Sequence, residues 1–322
     1  MLGGLARRVA SVEKVQSEKK PVLVVDSGDL FFDARAAGDP KQLLTKARLI
    51  GQVYKRMGAA AINVGDQDLL QGVDFLKEES ALGLPLLSAN LLDSASRKLI
   101  FPPDLIREVS GMRIAFFGLL TPALMPSIQS AVGEKVFIKD PIEAARETLE
   151  KLRGRADVIV LLSDLGFEQD RALARAVPGI HFILGGHEGR YLVRPAQEGK
   201  TYIVQSYAKG MYLGNLHLLL QNPASPFLDK GKPDQIQQQI QQLDFHLASL
   251  QTNRERPGGQ NMDRQIQQIQ KQKAHLQEEL RRSRDSLSKG NSFLWIVESL
   301  EKSLPENEEV RKWIAESGFD KD

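Results

Sequence analysis

The 322-residue chain contains no cysteine. That excludes disulfides, thiolate zinc sites, cysteine nucleophiles and CxxCH haem attachment, though it does not fix the compartment. Long hydrophobic runs are missing too: nothing approaches the roughly 20 apolar residues that a membrane-spanning helix needs. Neither sign of charge is in excess. Lys plus Arg number 43 against 41 Asp plus Glu, whereas a nucleic-acid or membrane-surface binder carries a large, clustered basic excess. No Gly-rich phosphate loop follows a strand, which argues against an ordinary cofactor-binding α/β domain. No secretory signal precedes the first structured segment, and localisation stays open.

What is present is globular usage, 42% apolar and 26% charged residues, and a length that suits about two domains. The first two-thirds alternate short apolar strands with amphipathic helices. Residues 21–26 (PVLVVD), 59–63, 113–119 (RIAFFGL), 156–162 (ADVIVLL) and 181–184 read as buried strands,. Strands at 202–205 and 212–220 follow. Residues 40–57 read as a helix opened by Pro40 and stopped by Gly58, and Asp140-Pro141-Ile142-Glu143 has the form of a capping box for a helix to about Arg153,. This alternation predicts an α/β sheet protein.

Composition changes over residues 233–290, which are rich in glutamine and nearly free of aromatics. Ile236, Ile240, Leu243, Leu247 and Leu250 are spaced as a heptad seam. After Pro257-Gly258-Gly259 a second seam runs through Met262, Ile266, Ile269, Leu276, Leu280 and Leu287, with Lys273 and Ser283 at two of its positions. The spacing predicts an antiparallel helical hairpin inserted between two sheet strands, the second being 292–300 (SFLWIVESL), with a short terminal helix after Pro305. Such an arm suits a protein partner or self-association through residues 233–289.

Ligands in open α/β sheets sit beyond the C-terminal strand ends. The polar residues there are Asp26 and Asp29, then Asn63, Asp66 and Asp68, then Ser163 and Asp164, then His187 and Glu188. Four strand ends, each with a carboxylate or an imidazole, point to an oxygen-rich metal site. Each residue alone has an ordinary reading: Asp29 as a turn or cap residue, Asp66 in an Asx turn, Asp164 as a helix cap, His187 as a loop imidazole.

Taken in order, Asp26-Ser27-Gly28-Asp29, Val64-Gly65-Asp66-Gln67, Val160-Leu161-Leu162-Ser163-Asp164 and Gly185-Gly186-His187 resemble the calcineurin-like metallophosphoesterases, in particular the N-terminal metal-binding domain of the 5′-nucleotidase family. Leu87-Ser88-Ala89-Asn90, Phe117-Gly118-Leu119-Leu120-Thr121-Pro122 and Gln205 with Tyr212-Leu213-Gly214 support the likeness. The resemblance implies a four-layer α/β/β/α sandwich over residues 1–221, interrupted by the coiled-coil hairpin (233–289) and completed by the return strand and terminal helix (291–322). Members of the family are often exported.

The family's two-metal site carries over unevenly. The first motif, Asp-x-His, is missing from this chain. Asp29 matches the bridging Asp. Asp66 stands at the family's metal-binding Asn, Gln67 at its catalytic His, and Leu70 at the Asp that supports that His. Asp164 takes the place of a metal His. His187 is kept, but Gly189 replaces its partner His. One site thus keeps four metal-capable side chains, Asp29, Asp66, Asp164 and His187, while the other keeps only Asp29. Three carboxylates and one imidazole suit Mn²⁺, Mg²⁺ or Ca²⁺ better than Zn²⁺. The expectation is one divalent ion, a second metal being doubtful, with weak or no hydrolysis of a phosphate ester. The alternative is a non-catalytic platform that uses the helical arm to bind a partner or a second copy.

Overall fold

The computed structural model describes residues 3–18, 20–34, 39–223, 225–254, 262–288 and 290–319. Two compact units divide the chain: Met1–Asn215 with Ile296–Asp322, and Leu216–Trp295.

The larger unit opens with α1 (Leu5–Ser17), β1 (Val24–Asp26), α2 (Pro40–Arg56), β2 (Ala59–Asn63), a 3-10 turn over Gln67–Gln71, and α3 (Val73–Ala81). Next come β3 (Leu86–Leu87), β4 (Leu91–Asp93), β5 (Asp104–Val109), β6 (Met112–Leu120) and α4 (Pro126–Val132). β7 (Val136–Ile138), α5 (Pro141–Leu152), β8 (Val158–Asp164), α6 (Phe167–Ala176), β9 (Phe182–Gly185), β10 (Ala196–Glu198) and β11 (Thr201–Val204) follow. Then β12 (Tyr212–Leu219) leads to β13 (Phe227–Asp229), α7 (Lys232–Arg254), α8 (Asp263–Leu287), β14 (Asn291–Ser299) and α9 (Glu308–Glu316).

The helix starts are set by side-chain caps. Asp39 accepts from Gln42 N, Asp140 from Glu143 N and Asn307 from Val310 N; each such cap contributes about 1 kcal/mol. The strand expected over 21–26 pairs only from Val24 to Asp26; Pro21 has no N–H to give a ladder.

β1, β2 and β3 form a parallel sheet in that order. A six-stranded sheet has the order β10-β11-β9-β8-β6-β5, its four inner strands parallel and its two edge strands antiparallel. Parallel strands covered on both faces read as unbroken apolar runs, and β8 is buried at every residue but Ile159. Within this unit α2 packs on β2, β2 on β6 and β8, α5 on β6, and α6 on β9 and β11. The layers are therefore helix, sheet, sheet, helix, the α/β/β/α fold expected from the sequence. One core joins α1, α2 and the first sheet, and another joins the six-stranded sheet to α5 and α6. The consequence for function is that the C-terminal ends of β1, β2, β8 and β9 carry the loops described below.

The second unit contains the helical arm, α7 and α8. Leu247 and Leu250 of α7 cluster with Ile266 and Ile269 of α8, joined by Leu243 and Met262. Nearer the helix bases, Ile236 and Ile240 cluster with Leu280 and Leu276. The two helices are thus antiparallel, and the buried residues of these two clusters, Ile236, Ile240, Leu247, Leu250, Ile266, Ile269 and Leu280, are seam residues. Lys273, on a seam, pairs with Asp244. The Pro257-Gly258-Gly259 break lies outside the described residues.

The sheet order β12-β14-β13 adds a strand that sequence reading overlooked. β13 runs parallel to β14, Phe227 opposite Asn291 and Asp229 opposite Phe293. Parallel neighbours need a crossover connection rather than a tight turn, and α7 with α8 supplies it. No helix among the described residues is long and apolar enough to cross a membrane.

Candidate metal centre

The loops after β1 and β2 approach backbone to backbone, which explains their glycines. A Cβ on Gly65 would stand 2.3 Å from both Asp29 N and Asp29 Oδ1, and one on Gly28 would stand 2.8 Å from Gly65 N. Asp29 itself takes the left-handed backbone, φ 56°, a conformation that Asp tolerates better than most residues. The turn is tied from below by Asp68, whose carboxylate accepts from Phe31 N at 2.8 Å and Gly65 N at 2.9 Å.

Asp29, Asp66, Asp164 and His187 each offer one ligand atom, and these atoms all lie within 4.8 Å of one another. All four sequence-derived positions therefore meet at one point. Asp66 N donates to Asp164 Oδ2 at 2.8 Å, so the loop after β2 is pinned to the end of β8. His187 Nδ1 lies 3.3 Å from Asp164 Oδ1 and 3.5 Å from Asp66 Oδ1. Neither oxygen has a well-formed hydrogen bond, although both are buried. Buried carboxylate oxygens left without a donor are costly, and a divalent cation is a partner that would satisfy both at once. On that observation the residues fit an ion.

The electrostatics agree. Burial and then the charge of Asp66 raise the Asp29 carboxyl to about 6. Burial, with the charge of Asp29 next, pushes Asp164 well up. The carboxylates of Asp164 and Asp66 beside its ring push His187 up to about 11. Three acids converging on one imidazole make a place that calls for positive charge.

Other strand-end residues serve the framework. Asp26 accepts from Tyr54 Oη at 2.6 Å and from Gly28 N, and Tyr54 in turn accepts from Arg8 at 2.6 Å. Asn63 Nδ2 donates to the carbonyls of Ser27 and Leu119, both at 2.9 Å. Glu188 lies outside the cluster, 3.6 Å from Arg190. Sequence reading missed the work of Gln67, whose side chain donates to Asp29 Oδ2 at 2.6 Å and accepts from Ala34 N at 2.9 Å. It also passed over Asp170 and named Gln205 only as part of the family likeness; both are buried behind the site.

No family model matches the chain. Among curated proteins, the 5′-nucleotidase of Diplobatis ommata is 28% identical over 240 residues, covering 67% of this chain and 40% of that protein. A probable 5′-nucleotidase of Treponema pallidum is 28% identical over 243 residues, 68% of this chain and 40% of that one. Among solved structures, the calcineurin-like phosphoesterase YfkN of Bacillus subtilis superposes with a TM-score of 0.65 at 19% identity, over 98% of this chain and 88% of that chain. The chain is a 5′-nucleotidase relative with the calcineurin-like phosphoesterase fold. It spans about 40% of the length of the curated relatives it matches.

Within that relationship the structure gives the departures physical meaning. Gln67, which the sequence resemblance sets at the family's catalytic His, has both polar ends of its side chain occupied by hydrogen bonds. Gly189, which the resemblance sets at the second metal His, has φ 62° and a hypothetical Cβ 2.8 Å from the Ala208 Cβ. A side chain there would be strained and would have to displace Ala208.

Proposed function

We propose that this chain is a divergent metal-dependent phosphoesterase domain of the 5′-nucleotidase kind, holding one divalent ion on Asp29, Asp66, Asp164 and His187, with weak or no hydrolysis. The convergence of these four residues around two buried carboxylate oxygens that lack a hydrogen bond carries the reading. The donor set supports Mn²⁺, Mg²⁺ or Ca²⁺ over Zn²⁺. A bound ion would supply Lewis-acid charge to a phosphate oxygen.

The remaining chemistry falls to the chain's own residues, and there the site is poor. An imidazole at position 67 could hold and deliver a proton; the Gln67 amide cannot. Groups of that kind contribute about 10²–10⁴-fold. Leu70 offers no carboxylate to orient such a group. Asp29 is occupied on both oxygens by Gln67, which leaves little of it for a second ion.

Phosphate release from a nucleoside 5′-monophosphate, with Mn²⁺ in excess, tests the proposal. Turnover below about 0.1 s⁻¹ is expected, at least 100-fold under a median enzyme. Turnover near about 10 s⁻¹ would overturn it.

A second reading, the platform, is favoured by one observation: Phe245 on α7 is 80% exposed. A lone Phe in water suits a contact with a second copy of the arm. Light scattering should then give a mass above one chain that falls on Phe245→Glu.

A further inference from the structure

Two of the four donors hang from neighbouring strand ends, and each is one residue from a backbone group that the structure anchors. Ser163 precedes Asp164. Its Oγ donates to Asp170 Oδ1 at 2.5 Å and accepts from Leu165 N at 3.3 Å. Gly186 precedes His187. Its N–H donates to the Ser163 carbonyl at 2.8 Å, and its own carbonyl accepts from Gln205 Nε2 at 2.5 Å. One continuous chain of hydrogen bonds thus runs Asp170–Ser163–Gly186–Gln205 beneath both donors.

The two outer members also meet on the same glycine. A Cβ on Gly185 would stand 2.9 Å from Asp170 Oδ2 and 3.4 Å from Gln205 Oε1. Ser27 Oγ ties the preceding residue, donating to the Leu184 carbonyl at 2.7 Å. The loop bearing His187 is therefore held by hydrogen bonds at Leu184 and Gly186, on either side of Gly185.

Packing alone does not account for Asp170. It is 1% exposed on α6, whose other buried residues are Phe167, Leu173 and Ala174. A carboxyl in such a place is costly, and burial pushes it to about 7. An apolar residue would fill the space without that cost. What the carboxyl provides is an acceptor for Ser163.

We propose that Asp170 and Gln205 are positioning residues for the ion site, acting through Ser163 and Gly186 to fix Asp164 and His187. This rests on the metal reading above. Outer-shell partners of this kind contribute about 10–100-fold to metal affinity.

The test is calorimetric titration with Mn²⁺, with melting temperatures recorded in chelator. Asp170→Ala and Gln205→Ala should each weaken Mn²⁺ binding about 10-fold or more. Asp170→Asn keeps the acceptor for Ser163 and should bind within about 3-fold of the parent chain, well inside that range. Leu173→Ala, buried on the same helix, should lower the melting temperature and leave affinity unchanged. Gln205 lies on a different segment from Asp170, so its variant decides the matter if Asp170→Ala does not fold. Unchanged affinity in Gln205→Ala, or a loss in Leu173→Ala equal to that in Asp170→Ala, would overturn the inference alone. No binding by the parent chain would overturn the metal reading, and this inference with it.

Discussion

Both carboxylate oxygens of Asp29 accept hydrogen bonds from one residue, Gln67: Oδ1 from its backbone N–H at 2.9 Å and Oδ2 from its side-chain Nε2 at 2.6 Å. The residue that resemblance places at a catalytic imidazole is thus a clamp on the neighbouring acid. Gln67→His, made alone, should leave phosphate release within a few-fold of the parent chain, because neither a supporting acid nor a second ion accompanies it. A rise approaching the about 10²-fold that a working general acid provides would contradict this.

Removing the clamp should be felt in stability. Gln67→Leu deletes the bonds to Asp29 and to Ala34 N, leaving a half-buried carboxylate and an amide under-satisfied. The expected loss is about 1–3 kcal/mol, read from urea unfolding in excess chelator. No measurable change would mean that the two bonds are readily replaced by water.

Ion binding should stabilise the folded chain. Mn²⁺ at 100 times its dissociation constant should add about 2.7 kcal/mol of unfolding free energy, and chelator should remove it. Asp164→Ala should abolish the increment, since Asp164 Oδ1 is one of the two buried oxygens that lack a hydrogen bond. An equal increment in the variant would place the ion elsewhere.

Asp170 predicts a pH dependence with a definite sign. Burial raises its folded value to about 7 from 3.8. A raised carboxyl contributes stability that is full below its unfolded value and lost as pH rises through the folded one. In chelator, the unfolding free energy of Asp170→Asn relative to the parent chain should therefore climb between about pH 4 and pH 7 and level off above. A difference that stays flat across that window would show that the carboxyl is not perturbed.

The helical arm can be removed only with attention to β13. Cutting residues 233–289 alone would leave β13 parallel to β14 with no crossover between them. Replacing residues 222–290 by an Asn-Gly turn joins β12 to β14 directly. These two strands run antiparallel, since Leu300 N donates to Met211 O at one end while Gln221 N reaches Asn291 Oδ1 at the other. The shortened chain should keep its far-UV dichroism from the larger unit and a cooperative melt. Loss of both would show that the arm is part of the core.

The fold was legible because its strands are apolar runs on a parallel sheet, a pattern that β6 and β8 show almost residue for residue. The meeting of Asp29, Asp66, Asp164 and His187 was legible because strand ends collect ligands, and the order of these residues resembles a known family. β13 was not legible: three residues, Phe227–Asp229, carry no periodicity. Asp170 was hidden for another reason. An Asp within a helix reads as a solvated face, and its burial and the distance to Ser163 show otherwise. Gln67 read as a loss, where the structure shows it bonded on both sides.

Metal content tests the account most directly. Purified chain, supplied with Mn²⁺ and then dialysed without chelator, should carry close to one ion per chain by elemental analysis, falling to none in a His187→Ala, Asp164→Ala double variant. No bound ion in the parent chain would contradict the site, and two tightly held ions would contradict the loss of the second.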